Sequence, residues 1–246
     1  MGESANNEGV AAVDRALSIL DAFTAQDAGL TLSEIARRTG LYKSTALRLA
    51  ESLEKFGYLR RDEEGYFKVG AKPLYLGTLF QRQFRTADVV PRALRQIAEE
   101  LRESASFFVR DEDRRLCLHR VDAPRAVRDA INEGDRLPLD TGASGHVILA
   151  FAGQAGPRYD GIRRSLHAAS FGERDPETAA VSCPVFRIHQ EFAGALTVSG
   201  PRYRIEETTV GKILPVLVRH AQELTRQFGG NPDVFRALSP EAPPGL

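Results

Sequence analysis

Between Thr31 and Phe56 two helical runs are separated by a single glycine, and a hairpin follows at once; that succession leaves the chain few ways to fold. Thr31-Leu-Ser-Glu34 has the form of a capping box, in which a hydroxyl and a carboxylate three residues on satisfy orphan amides at a helix start. Leu32, Ile35 and Ala36 face inward, and Gly40, free to take a positive φ, ends the helix in a sharp turn. A second helix resumes by Lys43. Ala46, Leu49, Ala50, Leu53 and Phe56 form its apolar stripe, with Ser44, Arg48, Glu51, Ser52 and Lys55 opposite and Thr45 beside them. Tyr58–Arg61 and Tyr66–Val69 alternate as strands around Asp62-Glu-Glu-Gly65, a hairpin signal. An earlier helix from Val10 to Phe23 has Val13, Ala16, Leu17 and Leu20 on one face, with Phe23 closing it. The predicted first domain, residues 10–71, is a winged helix-turn-helix.

A helix presented with a polar N-terminal half fits the major groove of DNA. Lys43, Ser44 and Thr45 supply phosphate donors and Arg48 can reach a guanine edge. Thr31, Ser33, Tyr42 and Arg61 complete the candidate DNA contacts. A charged helix face is often merely solvated, and it is the wing that favours the DNA reading. The formal net charge of zero, with 33 acids against 33 Lys plus Arg, does not advertise a nucleic-acid binder. Distribution matters more: residues 31–72 hold nine bases against six acids.

Past the wing, helices are expected from Leu74 to Phe84 and from Asp88 to Arg102, with Pro91 tolerated in the first turn. Residues 72–86 read as a helical linker. From Ser106 the pattern changes to strands: Phe107–Arg110, Leu116–Val121 and Val127–Asn132, then a helix from Ser144 to Phe151, strands at Ala179–Phe186 and Ala193–Ser199, and a helix from Glu206 to Phe228. The class is α+β, with an antiparallel sheet in a second domain over 87–230 and a flexible tail over 231–246.

Several stretches resemble the IclR-type bacterial transcriptional regulators: Val13–Leu20, Leu30–Leu41, Lys43-Ser-Thr45 and Gly57-Tyr-Leu59, then Arg136–Leu139, Gly142-Ala-Ser-Gly145, Ser182–Phe186 and Gly194–Pro201. The resemblance implies a GAF-like effector-binding domain, homodimers or homotetramers, no chemistry of the protein's own, and effector contacts from Leu137, Ala143, Ser144, Ser170, Ala180, Thr197 and Ser199. Independently, Gly142-Ala-Ser-Gly145 opens a helix whose free amides attract an anion, so a carboxylic acid is the expected guest. Gly145 joins the candidates on that ground. So does Ser182, in phase with Ala180 on one strand as Thr197 is with Ser199 on another. The opposing view is that small residues only let sheet and helix pack closely.

The chain departs from the family pattern at Tyr42, where Pro is common, at His146, where Lys is common, and at an acidic wing tip, Asp62-Glu-Glu64. His146 either pairs with an acidic ligand or is structural. The rival class is a hydrolase using Ser144 or Cys183, but Gly142-Ala-Ser-Gly-His146 lacks the final glycine of a nucleophile elbow. A lone Cys in an apolar strand is usually a small hydrophobe. Cys117 and Cys183 stand in no metal-binding spacing, so no metal or cofactor is expected. The N-terminus carries no basic stretch leading into an apolar core and no run could cross a bilayer, which predicts a cytoplasmic protein.

Overall fold

The computed structural model describes residues 9–24, 26–83 and 89–238. They form two compact units, one up to Gln83 and one beyond it. The first holds α1 (Ala11–Asp21), α2 (Leu32–Thr39), α3 (Lys43–Lys55), the hairpin β1 (Leu59–Arg61) and β2 (Phe67–Val69), and α4 (Lys72–Gln83). Gly40 turns the chain from α2 to α3 at φ +71°. Ile19, Ile35, Ala46, Ala50, Leu59 and Phe67 close the core. The wing is tied back to it where Leu30 and Phe67 exchange both backbone hydrogen bonds at 2.8 Å. Asp27 draws the α1–α2 turn shut: it accepts from the Thr24 amide and hydroxyl, and Arg38 donates to both Asp27 and the Ala22 carbonyl.

Two apolar stripes differ from expectation. On α1 it is Ile19 that is buried, while Val13 and Leu17 lie exposed; the helix is apolar on two sides, and periodicity alone does not say which side this unit covers. Phe56, just past the end of α3, is 68% exposed.

The second unit is a six-stranded antiparallel sheet in the order β5-β4-β3-β8-β7-β6, where β3 is Ser104–Asp111, β4 Arg114–Val121, β5 Arg136–Pro138, β6 Ala168–Phe171, β7 Thr178–Phe186 and β8 Phe192–Pro201. Alternation gives the sheet two unlike faces. Phe107, Val181, Cys183, Leu196 and Val198 pack with α5 (Val90–Leu101) and α8 (Val210–Gln227). On the other face Phe108, Cys117 and Ala195 pack with α6 (Ala143–Phe151) and α7 (Pro157–Ser165). Alternation sends the adjacent Phe107 and Phe108 rings to opposite sides, and the bulge facing them lies on β4, where Leu118 is the residue left over.

Residues 127–132 form no strand; the edge strand is β5, whose Pro138 is tolerated because one side of an edge strand needs no donors. Neither α7 nor β6 was expected. The start of α5 expected at Asp88 and the end of the linker, 84–86, lie outside the described residues. The expected flexible tail is corrected over Pro232–Leu238, which forms 3-10 turns with Phe235 fully buried against the Phe186 ring. Among the described residues no helix is long and apolar enough to cross a membrane.

Phe67→Ala should destabilise the first unit by about 3–5 kcal/mol, as expected for an aromatic removed from a closed core. Phe56→Ala should stay within about 0.5 kcal/mol. Urea unfolding of the two variants checks the pair, and equal losses would contradict the assignment of the core face.

Candidate functional site

In the first unit the charges on α2 and α3 are disposed differently. Arg37 and Arg38 both reach Glu34, at 2.6 and 2.8 Å, and Arg38 also pairs with Asp27 at 2.6 Å. Hydrogen bonds from Arg37 and then Arg38 hold the Glu34 carboxyl down at about 2. Glu34 is therefore spent on arginines. The capping contact is its own amide donating to the Thr31 hydroxyl at 3.2 Å. On α3, by contrast, Lys43 and Arg48 are exposed and have no ion-pair partner among the described residues. Ser44 is exposed beside them, Thr45 is half-buried, and Tyr42 stands 86% exposed at the helix start. Ser33 lies exposed in the first turn of α2.

Arg61 is exposed, with its guanidinium over the Phe67 ring at 5.2 Å and donating to the Gly65 carbonyl at 3.3 Å. The acidic wing tip is partly structural. Asp62 accepts from the Glu64 and Tyr66 amides and pairs with Lys68 at 2.9 Å.

In the second unit a cavity of about 30 Å³ lies between the α6 face of the sheet and the start of α6. Of the expected effector residues it brings together Ala143, Ser144, Ser170, Ala180, Thr197 and Ser199. Register explains why: Ser170 pairs with Ala180, Ala180 with Ser199, and Ser182 with Thr197. Leu137, Gly145 and Ser182 are not part of the lining. Leu137 sits half-buried on β5, a side chain on Gly145 would meet the Leu139 carbonyl and Arg115, and Ser182 lies beneath Thr197 with their oxygens 2.9 Å apart.

Two amides at the start of α6 are already engaged by the protein itself. Ala143 N–H donates to the Ser170 hydroxyl at 2.9 Å, and Gly142 N–H to the Glu173 carboxylate at 2.9 Å. His146 does pair with an acid, and the acid is the protein's own: Nε2 lies 2.6 Å from Glu173, while the buried Nδ1 has no hydrogen-bond partner. Arg158 holds the other Glu173 oxygen at 2.8 Å. Burial alone would raise the Glu173 carboxyl; the bonds from His146, Gly142 and Arg158 outweigh it and hold it at about 2.

Four charged lining residues, Arg115, Asp129, Glu173 and the half-buried Arg174, went unnoticed in the sequence. Arg115 is 2% exposed and makes no ion pair among the described residues. One guanidinium nitrogen donates to the Pro138 and Thr141 carbonyls, Nε has no partner, and the group lies 5.7 Å from the Phe108 ring. Burial, then the nearby Arg174, lowers it to about 10. Asp129 is 5% exposed, held by Arg120 at 2.8 Å and by the Ser199 hydroxyl at 2.9 Å. Glu173 and Arg174 complete the set. A period-two count along β4 would have flagged Arg115, which is in phase with buried Cys117, whereas Asp129 sat in a supposed strand and Glu173 left no signal.

The hydrolase reading finds no support here. Cys183 faces the α5/α8 core on the far side of the sheet, its thiol pushed well up by burial. The His146 Nε2 is committed to Glu173 rather than to Ser144.

A winged helix-turn-helix beside a second, sheet-built unit defines a two-domain DNA-binding protein. Comparison with known families names which kind. The IclR helix-turn-helix domain matches residues 12–63, and the bacterial transcriptional regulator IclR C-terminal domain matches 84–158 and 157–226. The chain belongs to the IclR family of bacterial transcriptional regulators. It is 27% identical to the regulator BhcR of Paracoccus denitrificans, over 91% of this chain and 88% of that one. It is 24% identical to the transcriptional repressor IclR of Escherichia coli, over 90% and 91%. Among solved structures, Thermotoga maritima IclR superposes with a TM-score of 0.75 at 21% identity, covering 88% of this chain and 98% of that one. An IclR homolog from Microbacterium hydrocarbonoxydans complexed with 4-hydroxybenzoate gives 0.70 at 23%, covering 88% and 98%.

The folded-state value of Glu173 near 2 lies below the roughly 4.3 of a free glutamate, so its contribution to stability is full above about pH 4.3 and is lost as pH falls toward 2. Melting temperatures of the parent and Glu173→Gln should therefore differ most near neutrality and converge toward pH 2. A gap independent of pH would count against the network.

Proposed function

We propose that the protein is a sequence-specific DNA-binding transcriptional regulator whose operator affinity is set by a small carboxylic acid held in the cavity of its second unit. One observation carries the reading. Lys43 and Arg48 of α3 lie on an exposed face followed by a wing and have no ion-pair partner among the described residues, while Arg115 is buried in a separate cavity, likewise without an ion pair among them. The first arrangement suits a polyanion met from solvent, the second a single small anion. The relative complexed with 4-hydroxybenzoate supports an acid as guest.

In this reading Lys43, Ser44 and Thr45 contact phosphates, Arg48 reads a base edge, and Thr31, Ser33 and Tyr42 border the same strand of DNA. Arg61 acts by shaping the wing. Ala143, Ser144, Ser170, Ala180, Thr197 and Ser199 surround the acid, with Leu137, Gly145 and Ser182 supporting them. The protein works in the cytoplasm as a homodimer or homotetramer and performs no chemistry. Val13 and Leu17 on α1, and Leu74, Tyr75, Leu76 and Leu79 on α4, are large exposed apolar side chains that a second copy would cover. Because coupling is reciprocal, an acid that weakens operator binding must itself bind the DNA-bound form less tightly.

A thermal-shift screen of small carboxylic acids, followed by operator selection from random duplexes with and without each hit, tests the whole reading. It fails if no duplex is selected or no acid alters the selected affinity. Arg48→Ala should cost about 1–3 kcal/mol on the operator and relax preference at one position per half-site. Lys43→Ala should weaken all sequences alike and lower the salt slope by about 0.9. Fluorescence anisotropy over a salt series separates the two, and unchanged binding by both variants would misplace the recognition face.

A further inference from the structure

Resting on the reading above that an acid enters the cavity, we propose that residues 229–238 are a strap that holds α6 down through a chain of aromatic rings and so sets how readily the cavity opens.

The strap is seated on the turn between β7 and β8. Arg187 and Gly229 form an isolated antiparallel bridge. The side-chain amide of Gln190 donates to the Asn231 carbonyl at 3.3 Å, and its side-chain carbonyl accepts from the Asn231 amide at 2.7 Å. The approach is close: a side chain on Gly229 would meet Ile188 at 2.8 Å, and one on Gly230 would meet the Arg187 and Phe186 carbonyl oxygens at 3.0 and 3.1 Å. The turn beneath is strained, because His189 and Gln190 take φ of +59° and +58°, a left-handed conformation disfavoured for residues with a Cβ. Such a turn persists where its surroundings hold it, and the paired bonds between Gln190 and Asn231 are part of that hold.

Three rings carry this anchorage to α6. Phe235 is fully buried, its ring 6.0 Å from that of Phe186. Phe186 meets Phe151 edge-on at 5.2 Å, and Phe151 lies parallel to Phe192 at 5.7 Å. Phe151 is the last residue of α6 and, among the described residues, the one partly buried side chain packed against both apolar cores of the second unit. The other end of the same nine-residue helix, Ala143 and Ser144, forms cavity wall. Close-packed interiors transmit strain, so widening the cavity at Ala143 presses Phe151 against Phe186 and Phe192. With Phe235 packed on Phe186, the strap resists that movement. The bonds of the Gly142 and Ala143 amides hold the start of α6, and the rings hold its end.

The two cysteines report the opening without any ligand. Cys117 packs in the core beneath α6, Cys183 in the core on the other face of the sheet. Burial pushes the Cys117 thiol up to about 12 and raises that of Cys183 as well, so each is alkylated only when its surroundings open. Iodoacetamide labelling of the full-length protein, with mass spectrometry of each cysteine, compares the parent with two variants. Phe235→Leu keeps an apolar side chain and removes the ring; Gln190→Ala releases Asn231 from an exposed position. Both should speed labelling of Cys117 by about two- to tenfold, the factor of one lost aromatic pair or hydrogen bond, with Cys183 rising by less. Phe151→Leu alone should also speed Cys117, and combining it with Phe235→Leu should add little, because both act through one chain of contacts. Cys117 labelling unchanged in both strap variants, or Cys117 and Cys183 rising by the same factor, would overturn the proposal and make the segment a general support of the fold. Full additivity of Phe151→Leu and Phe235→Leu would overturn the route through the rings. Selective labelling of Cys117 together with an acid screen that finds no binder would remove the effector reading and leave the strap's hold on α6 standing.

Discussion

Strands β7 and β8 carry two unlike surfaces on one stretch of backbone, and the second unit depends on keeping them apart. Val181, Cys183, Leu196 and Val198 give one face to the helices α5 and α8; Ala180, Thr197 and Ser199 give the other to the cavity, with Ser182 paired beside Thr197. A slip of one residue would exchange the sets, placing hydroxyls in an apolar core and branched side chains where the cavity lies. The long pairing of β7 with β8, from Thr178 opposite Pro201 to Phe186 opposite Phe192, is what fixes that register. The site is thus a by-product of the same alternation that builds the core.

The first unit solves a different problem, that of presenting cations to solvent without letting its own acids neutralise them. Glu34 and Asp27 absorb the arginines of α2, and in doing so tie α2 to the turn after α1. Surface ion pairs contribute little stability, so the value of this arrangement lies in orientation: the side chains of α2 are fixed and those of α3 remain available. Asp62 does the same at the wing, where it caps the turn and holds Lys68. Of the acidic wing tip, Asp62 is thereby turned to local structure, while Glu63 and Glu64 stay exposed.

How much of this was legible in the sequence follows from the range of the interactions involved. Helix starts and stops, the wing and the long strands are written in local periods and in Gly40, and they emerged with the right type. What escaped depended on distant partners. The alternation of Val127–Asn132 suggested a strand, yet Asp129 turns inward because Arg120 and Ser199 await it, the latter seventy positions away. β6, Ala-Ala-Ser-Phe, has too little bulk to announce itself and exists because β7 offers it a partner. Val13 and Leu17 were assigned to a core on a face this unit leaves open. Family resemblance located the small and hydroxyl-bearing part of the cavity lining, but its charged part, Arg115, Asp129, Glu173 and Arg174, required the fold.

The cavity has a volume of about 30 Å³, so on the proposed reading an organic acid would enter with some opening of its walls. The free energy of opening is subtracted from whatever the contacts with the acid supply, and the observed affinity is the remainder. Buried charge makes that remainder unusually sensitive to ligand chemistry. Arg115 is left without an anion in the closed state, so an entering carboxylate relieves a cost already present in the protein, whereas a neutral guest meets the opening cost with nothing to set against it. On the proposed reading, discrimination between acids and their neutral analogues would follow from the empty protein, before any contact with ligand is made.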